Sequence, residues 1–269
     1  MTLTFTILGC GYSGGVPRPG LGWGDCNPKN PKNRRRRTGL LIERRNSAGA
    51  ATRALVDTSP DLREQLLDAD VPWLDGVLYT HAHADHIHGI DDLRALVLHK
   101  RRRVDVYTDA VTSELLRIRF GYCFATPPGS EYPPILNEHR IAAGRPVTIE
   151  GEGGPIAVLP YLQAHGSITT LGFRFGSLAY SCDLNDLPAE SVAALSGLEV
   201  WILDALRYKP HPSHLSLAQA LDWVARLKPK RAILTNLHAD LDYDILRREL
   251  PANVEPAFDG MRIVTGSAA

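Results

Sequence analysis

Residues 80–89 read Thr-His-Ala-His-Ala-Asp-His-Ile-His-Gly, and four of the chain's ten histidines fall within eight of those positions. Packing seldom needs imidazoles at that density, whereas metal binding does. The apolar run Gly76–Thr80 reads as a strand leading into the cluster, so His81 and His83, two apart on extended backbone, point the same way. Asp85 and His86 come next, where the chain turns, which lets four metal-capable side chains converge on one point or on two close points. Ala82 and Ala84 keep the backbone clear, and Gly89 lets the chain leave close to the metal. The plain alternative is a histidine-rich surface loop. The helical H-E-x-x-H protease pattern is absent.

Such a site needs further ligands, and polar residues just past apolar strands supply candidates. His165 follows the strand read over residues 156–163, Asp183 follows 178–181, and His238 follows 231–235. Taken singly, each is an ordinary surface histidine or turn aspartate. The histidine cluster is what calls for them.

The elements that must position these residues can be read from periodicity and turn chemistry. Leu3–Leu8 is a strand and Gly9–Gly24 a glycine-rich loop. Strands are expected over 39–44, 53–57, 104–108, 147–150, 170–175, 200–204 and 262–265. Ser59-Pro60 should open a helix with a buried stripe of Leu62, Leu66 and Leu67, and further helices are expected over 91–100, 187–195, 217–227 and 243–250. Residues 120–140, rich in Pro, Tyr and Gly, read as an irregular excursion or flap. No internal repeat and no linker stands out, so the expected organisation is one domain over 1–269, with two packed sheets and helices outside.

Composition removes whole classes of function. Apolar residues make up 44% and charged residues 22%, which is enough apolar surface to exclude intrinsic disorder. Thirty basic residues balance thirty acidic ones, which argues against charge-driven nucleic-acid binding. No apolar window spans a membrane, and the N-terminus lacks the pattern of a signal peptide. The four scattered cysteines make no C-x-x-C pair, so a cytoplasmic protein with reduced thiols is expected.

Thr80-His81-Ala82-His83-Ala84-Asp85-His86 resembles the signature of the metallo-β-lactamase superfamily, and His165, Asp183 and His238 come in the order that superfamily uses. Gly-Cys-Gly-Tyr-Ser-Gly-Gly-Val-Pro at the N-terminus and Pro-Ser-His-Leu-Ser-Leu near residue 214 resemble its phosphodiesterase branch. That branch includes the phosphoribosyl cyclic phosphate phosphodiesterase of phosphonate breakdown and, more distantly, the tRNA 3′-processing endonuclease. The resemblance implies an α/β fold of the αββα sandwich type and hydrolysis of a small cyclic or nucleotide-like phosphodiester. It also implies two divalent ions, zinc or manganese, that make hydroxide available near neutral pH.

Carried onto this chain, the resemblance gives His81, His83 and His165 to one ion and Asp85, His86 and His238 to the other, with Asp183 bridging. Asp57 would orient the histidine loop, and His214 would protonate the leaving group or hold the phosphate, with His211 as the competing candidate. Asp85 is also counted among the catalytic candidates, and Gly14, Arg37 and His211 are candidate phosphate contacts. The runs Arg34–Arg37 and Arg101–Arg103 read as a strand entrance or phosphate attractor and as a helix end, respectively. The chain departs from the pattern twice. Relatives carry a structural zinc on clustered cysteines and a late histidine, where this chain has a solitary Cys26 and Ala239. Relatives also often read Thr-His where this chain has Thr235-Asn236, which makes His238 the substitute ligand. The expected partners are a small phosphodiester substrate and a second copy of the chain in a homodimer, without membrane or nucleic acid. The alternative functions are an RNA-processing nuclease, a thioester, lactone or β-lactam hydrolase, and a metal-binding sensor.

Overall fold

The computed structural model describes residues 2–266. The first half of the chain contributes strands β1 (Thr2–Gly9), β2 (Gly39–Arg45), β3 (Ala51–Val56), β4 (Gly76–Leu78), β5 (Val104–Thr108) and β6 (Leu136–Arg140). The second contributes β7 (Val147–Ile149), β8 (Ile156–His165), β9 (Ile168–Phe175), β10 (Leu178–Ser181), β11 (Val200–Asp204), β12 (Arg231–Thr235), β13 (Val254–Pro256) and β14 (Met261–Gly266). They form two seven-stranded mixed sheets, ordered β14-β1-β2-β3-β4-β5-β6 and β13-β12-β11-β10-β9-β8-β7. This is the αββα sandwich expected from the sequence. Residue patterns show no repeat, yet the two sheets are built alike. Each has three antiparallel ladders followed by three parallel ones, the latter joining β3 to β6 and β10 to β13.

Alternation of side chains along the strands gives each sheet one face for the other sheet and one for helices. Phe5, Ile7, Leu40, Ile42, Val56 and Leu78 of the first sheet meet Phe173, Phe175, Ile202 and Ile233 of the second in a continuous core. The Phe5 and Phe175 rings meet edge to face at 5.6 Å. Helices α1 (Leu62–Asp68), α3 (Leu93–Lys100) and α4 (Ala110–Phe120) cover the outer face of the first sheet, burying Leu62, Leu66, Leu93, Val97 and Leu116. Helices α5 (Ala189–Ala194), α6 (Leu217–Leu227) and α7 (Tyr243–Glu249) belong to the second half, and Leu217, Trp223, Val224 and Leu246 bury against the second sheet. Helix α6 matches its expected span because a capping box between Ser216 and Gln219 fixes its start. The remaining helix, α2 (Ala84–Ile87), is one turn long and carries Asp85 and His86.

Several local expectations change. Helix α1 begins after Asp61, not at Pro60. Ser59 accepts a bond from the Asp61 N–H and donates to Gln65 Oε1, closing the preceding turn, and Leu67 is exposed on the far side of the buried stripe. Residues 120–140 are not a structureless flap. Gly121–Cys123 forms a 3₁₀ turn, and Leu136–Arg140 adds a parallel edge strand beside β5, with the polar composition an edge tolerates. Gly89 has an ordinary negative φ. A Cβ there would lie 2.0 Å from the Ser59 carbonyl oxygen, so it is close packing of the histidine loop that requires glycine.

The arginine run near residue 35 is structural. Arg36 pairs with Asp68, Arg37 with Asp61, and Arg35 is buried. The Arg35 guanidinium donates to the carbonyls of His238 and Leu241 and to Asn33 Oδ1, tying the N-terminal loop to the segment after β12. Cys26 and Ala239 pack together there with Val16, at the place where the resemblance puts a cysteine–histidine site. At the other arginine run, Arg101 ends α3 in the left-handed conformation and Arg102 pairs with Asp75 over the Trp73 ring. No helix among the described residues is long and apolar enough to cross a membrane.

Candidate metal centre

The site lies past the carboxyl ends of the parallel strands, where open α/β sheets generally place theirs. Asp57 follows β3, His81 follows β4, Asp183 follows β10, Asp204 ends β11 and Asn236 follows β12. Asp57, Asp183 and Asn236 all adopt left-handed backbone, with φ of 63, 56 and 61°. Asp and Asn tolerate this conformation better than other side-chain-bearing residues, which explains their recurrence at these strand exits.

Two groups of ligand-capable atoms result. His81, His83, His165 and Asp183 form one, and Asp85, His86 and Asp183 the other, with the atoms of each group within 4.8 Å of one another. Ligands about 2.1 Å from one tetrahedral ion lie about 3.4 Å apart, so each group would draw together on binding one. Asp183 Oδ2 belongs to both, lying 3.3 Å from His86 Nε2 and 3.6 Å from the Nε2 atoms of His81 and His165.

Hydrogen bonds behind the imidazoles fix their tautomers, because carboxylates and carbonyls can only accept. His86 Nδ1 donates to Asp57 Oδ2 at 2.7 Å and His165 Nδ1 to the Ser213 carbonyl at 2.6 Å. Thr80 Oγ1 donates to Asp57 Oδ2 at 2.8 Å and accepts from His81 Nδ1 at 3.0 Å. In their neutral forms all three rings therefore present an Nε2 lone pair to the centre. The Nε2 atoms of His81 and His86 are buried without a hydrogen-bond partner, which is the expected state of an atom reserved for a cation. Electrostatics divide the rings. Burial opposes charge on His86, yet Asp183, Asp85 and Asp57 together push its pKa well above the usual imidazole range, so a cation bound there takes the place of its Nε2 proton. Burial and neighbouring imidazoles push His81 down, and burial lowers His83 and His165 despite Asp183, which keeps them neutral as ligation requires. The donor set and its orphaned atoms thus fit divalent cations.

Asp57 is buried and accepts also from the Thr80 N–H at 2.8 Å, which ties the His86 ring to the start of the histidine loop. His214 stands beside His165, ring centroids 4.7 Å apart, and its Nδ1 lies 2.9 Å from Oδ2 of the buried Asp204. Burial works against its charged form, but Asp204, with help from Asp183 and Asp85, lifts its pKa to about 9. His211 lies at 5.1 Å from His214, centroid to centroid, on the same wall. The cleft above these groups has a volume of about 350 Å³ and is also lined by Tyr12, Ser13, Arg207, Asn236 and His238.

Three of the sequence candidates stand elsewhere. His238 is at the cleft wall but outside both ligand groups. Its Nδ1 faces Asp240, its Nε2 faces Arg18, and its ring packs on Tyr12. Asn236 occupies the place beside the centre instead, its Nδ2 3.0 Å from Asp183 Oδ1. Gly14 is not among the lining residues; a Cβ there would strike the Tyr12 ring, so glycine lets Tyr12 lie over it. Arg37 is committed to Asp61. Sequence reasoning missed Asp204 and Thr80. Asp204 carries the same signal as Asp183, an aspartate closing an apolar strand.

This is the architecture of a metal-dependent hydrolase, and comparison with known proteins places it further. Residues 52–236 match the β-lactamase superfamily domain, and the chain belongs to that superfamily. It is similar, at 34% identity and a TM-score of 0.87 over 98% of both chains, to a crystal structure described as a new diphosphatase from the PhnP family. Over 263 residues, 96% of this chain, it is 34% identical to a Porphyromonas gingivalis (strain ATCC BAA-308 / W83) protein named octanoyltransferase, and it spans 51% of that protein's length. The short form of human tRNase Z shares the fold, with 15% identity and a TM-score of 0.64 over 97% of this chain and 98% of that one.

Proposed function

We propose that the protein hydrolyses a small phosphodiester, cyclic or nucleotide-like, using a pair of divalent cations such as zinc or manganese. The observation that carries this reading is the sharing of Asp183 Oδ2 between two ligand groups beneath a cleft that His214 also enters. His81, His83, His165 and Asp183 would hold one ion, and Asp85, His86 and Asp183 the other. When bound, such a pair neutralises charge on phosphoryl oxygens and acidifies a coordinated water.

The chain's own groups do the rest. Asp204 fixes His214 with its Nδ1 proton inward, so Nε2 is the atom that exchanges a proton with a bound molecule. An alkoxide leaving group needs that proton, whereas a thiolate does not, and this favours a phosphodiester over a thioester. Burial of His81, His86 and Asp183 keeps bulk water from competing for the charges. A cleft of about 350 Å³ suits a small substrate, and zero net charge gives RNA little to hold. The diphosphatase likeness supports phosphoryl chemistry. The octanoyltransferase name belongs to a protein about twice as long, and no cysteine or lysine is among the residues lining this cleft.

The test is a panel with the manganese- or zinc-loaded protein: bis-p-nitrophenyl phosphate, ribose cyclic phosphates, cyclic nucleotides, a tRNA precursor, a thioester and nitrocefin. Turnover of the small phosphodiesters is expected. Preference for nitrocefin, the thioester or the tRNA precursor, or no turnover by protein carrying two ions, would refute the reading.

A further inference from the structure

The two ligand groups of the centre differ in kind. The first offers three imidazoles and one carboxylate, the second two carboxylates and one imidazole. Asn236 stands where a further ligand to the second group could have come from, and its geometry removes it from that role. Asp183 Oδ1 can only accept, so the amide must present Nδ2 to it, as the 3.0 Å contact requires. An amide nitrogen, its lone pair delocalised and its hydrogens turned outward, does not coordinate. The nearby imidazole that could substitute, His238, is engaged by Asp240, Arg18 and Tyr12 outside both groups. Asn236 therefore acts on Asp183. It braces the oxygen that faces away from the ligand atoms, together with Cys182 Sγ at 3.2 Å, and leaves Oδ2 aimed at both groups.

We infer that the two cation positions are unequal: the three-histidine position retains a borderline ion such as zinc, while the carboxylate-rich position takes an exchangeable, oxygen-favouring divalent ion such as manganese. Donor chemistry gives the direction. Imidazoles suit zinc, whereas carboxylates and water suit manganese or magnesium. The donor count gives the order of affinity, since the second position must complete its shell with water or substrate oxygens. Those open sites are where a phosphoryl group would bind, so the substrate itself would help to hold the second ion. Asn236 is in this sense a positioning residue for Asp183.

This inference rests on the proposed metal-dependent function, and metal content tests the two separately. Metal-stripped protein would be loaded with zinc, dialysed against a weak chelator and assayed by elemental analysis, then titrated with manganese and followed by electron paramagnetic resonance and calorimetry. One retained zinc per chain is expected, with a second ion bound about 10–100-fold more weakly, the scale for loss of one element of ligand support. Manganese added to the one-zinc protein should give the spectrum of an isolated ion. Asn236→His should bring the retained count to two. Asp85→Asn, which touches only the carboxylate-rich group, should abolish the second ion and leave the first. Two ions retained equally by the wild type, a folded Asn236→His protein that still retains one, or loss of both ions from Asp85→Asn would overturn the inequality alone. Retention of no ion by the wild type would overturn the proposed function as well.

Discussion

Replacing Asp57 by Asn changes one oxygen to an amino group at nearly constant volume, and the surroundings of that group determine the consequence. Oδ1 accepts from the Thr80 N–H at 2.8 Å, while Oδ2 accepts from Thr80 Oγ1 at 2.8 Å and from His86 Nδ1 at 2.7 Å. The amide introduced by Asp57→Asn can satisfy one side only. If its oxygen faces the Thr80 N–H, its NH₂ group meets Thr80 Oγ1 and His86 Nδ1, which must then accept. His86 moves its proton to Nε2, pointing it at the position where a cation would sit. Thr80, now an acceptor from the amide, turns its hydroxyl proton toward His81 Nδ1, 3.0 Å away, and His81 shifts its own proton to Nε2 in turn. If the amide is reversed, its NH₂ group opposes the Thr80 N–H in a buried site.

Either arrangement leaves one buried donor without an acceptor whenever a cation is bound, at a cost of about 1–3 kcal/mol, or roughly 5–150-fold in ion affinity. The expected outcome is a folded protein with unchanged far-ultraviolet circular dichroism and manganese and zinc affinities lowered within that range. Imidazole nitrogen shifts measured by NMR check the mechanism directly. His81 and His86 should be protonated at Nδ1 in the metal-stripped wild type wherever they are neutral, and at Nε2 in Asp57→Asn where its amide oxygen faces the Thr80 N–H; unchanged tautomers would assign the reversed amide. A folded Asp57→Asn protein with wild-type metal affinity would refute the reasoning.

Three further outcomes are expected. His214→Ala should leave metal content intact and slow the chemical step on a substrate with a poor leaving group by about 10²–10⁴-fold, measured in single-turnover kinetics; wild-type rates would remove His214 from proton transfer. Arg35→Met should lower unfolding free energy in urea by about 2–4 kcal/mol, because the His238 and Leu241 carbonyls lose their buried donor, whereas a loss under about 0.5 kcal/mol would show that water replaces it. Burial pushes the Asp259 carboxyl up to about 6, against hydrogen bonds from the Arg36 and Cys10 N–H groups. Its folded pKa lies above its unfolded one, near 3.9, so its contribution to stability is full below about pH 4 and is lost as pH rises through about 6. Wild type should therefore gain about 1 kcal/mol between pH 7 and pH 5 relative to Asp259→Asn in urea titrations, and parallel pH profiles would contradict this.

What the sequence disclosed and what it withheld divide along a physical line. The histidine loop was legible because its chemistry is local. His81, His83, Asp85 and His86 lie within a span of six residues, and strand-then-turn geometry alone brings them together. The sandwich was legible through alternation in strands such as Phe5–Ile7 and through the capping box of α6, both short-range signals. Failures came wherever a side chain's role is set by a neighbour distant in the chain. The fate of His238 depends on Asp240, which is local, but also on Arg18 and Tyr12, more than two hundred residues away. Asn236 was visible as a broken Thr-His pattern. Only contact with Asp183, 53 residues earlier, makes it a brace and not a vacancy to be filled by the next histidine. Arg37 and Arg35 sit in one basic run, yet Asp61 claims the first and the His238–Leu241 carbonyls the second, so a charge pattern that suggested phosphate attraction is spent on folding. The recoverable signal was at the strand exits. An Asp or Asn within two residues past an apolar parallel strand recurs at Asp57, Asp183 and Asn236, each in left-handed backbone, and at Asp204, the last residue of its strand. Weighing that recurrence as one pattern would have placed Asn236 and Asp204 in the site ahead of His238.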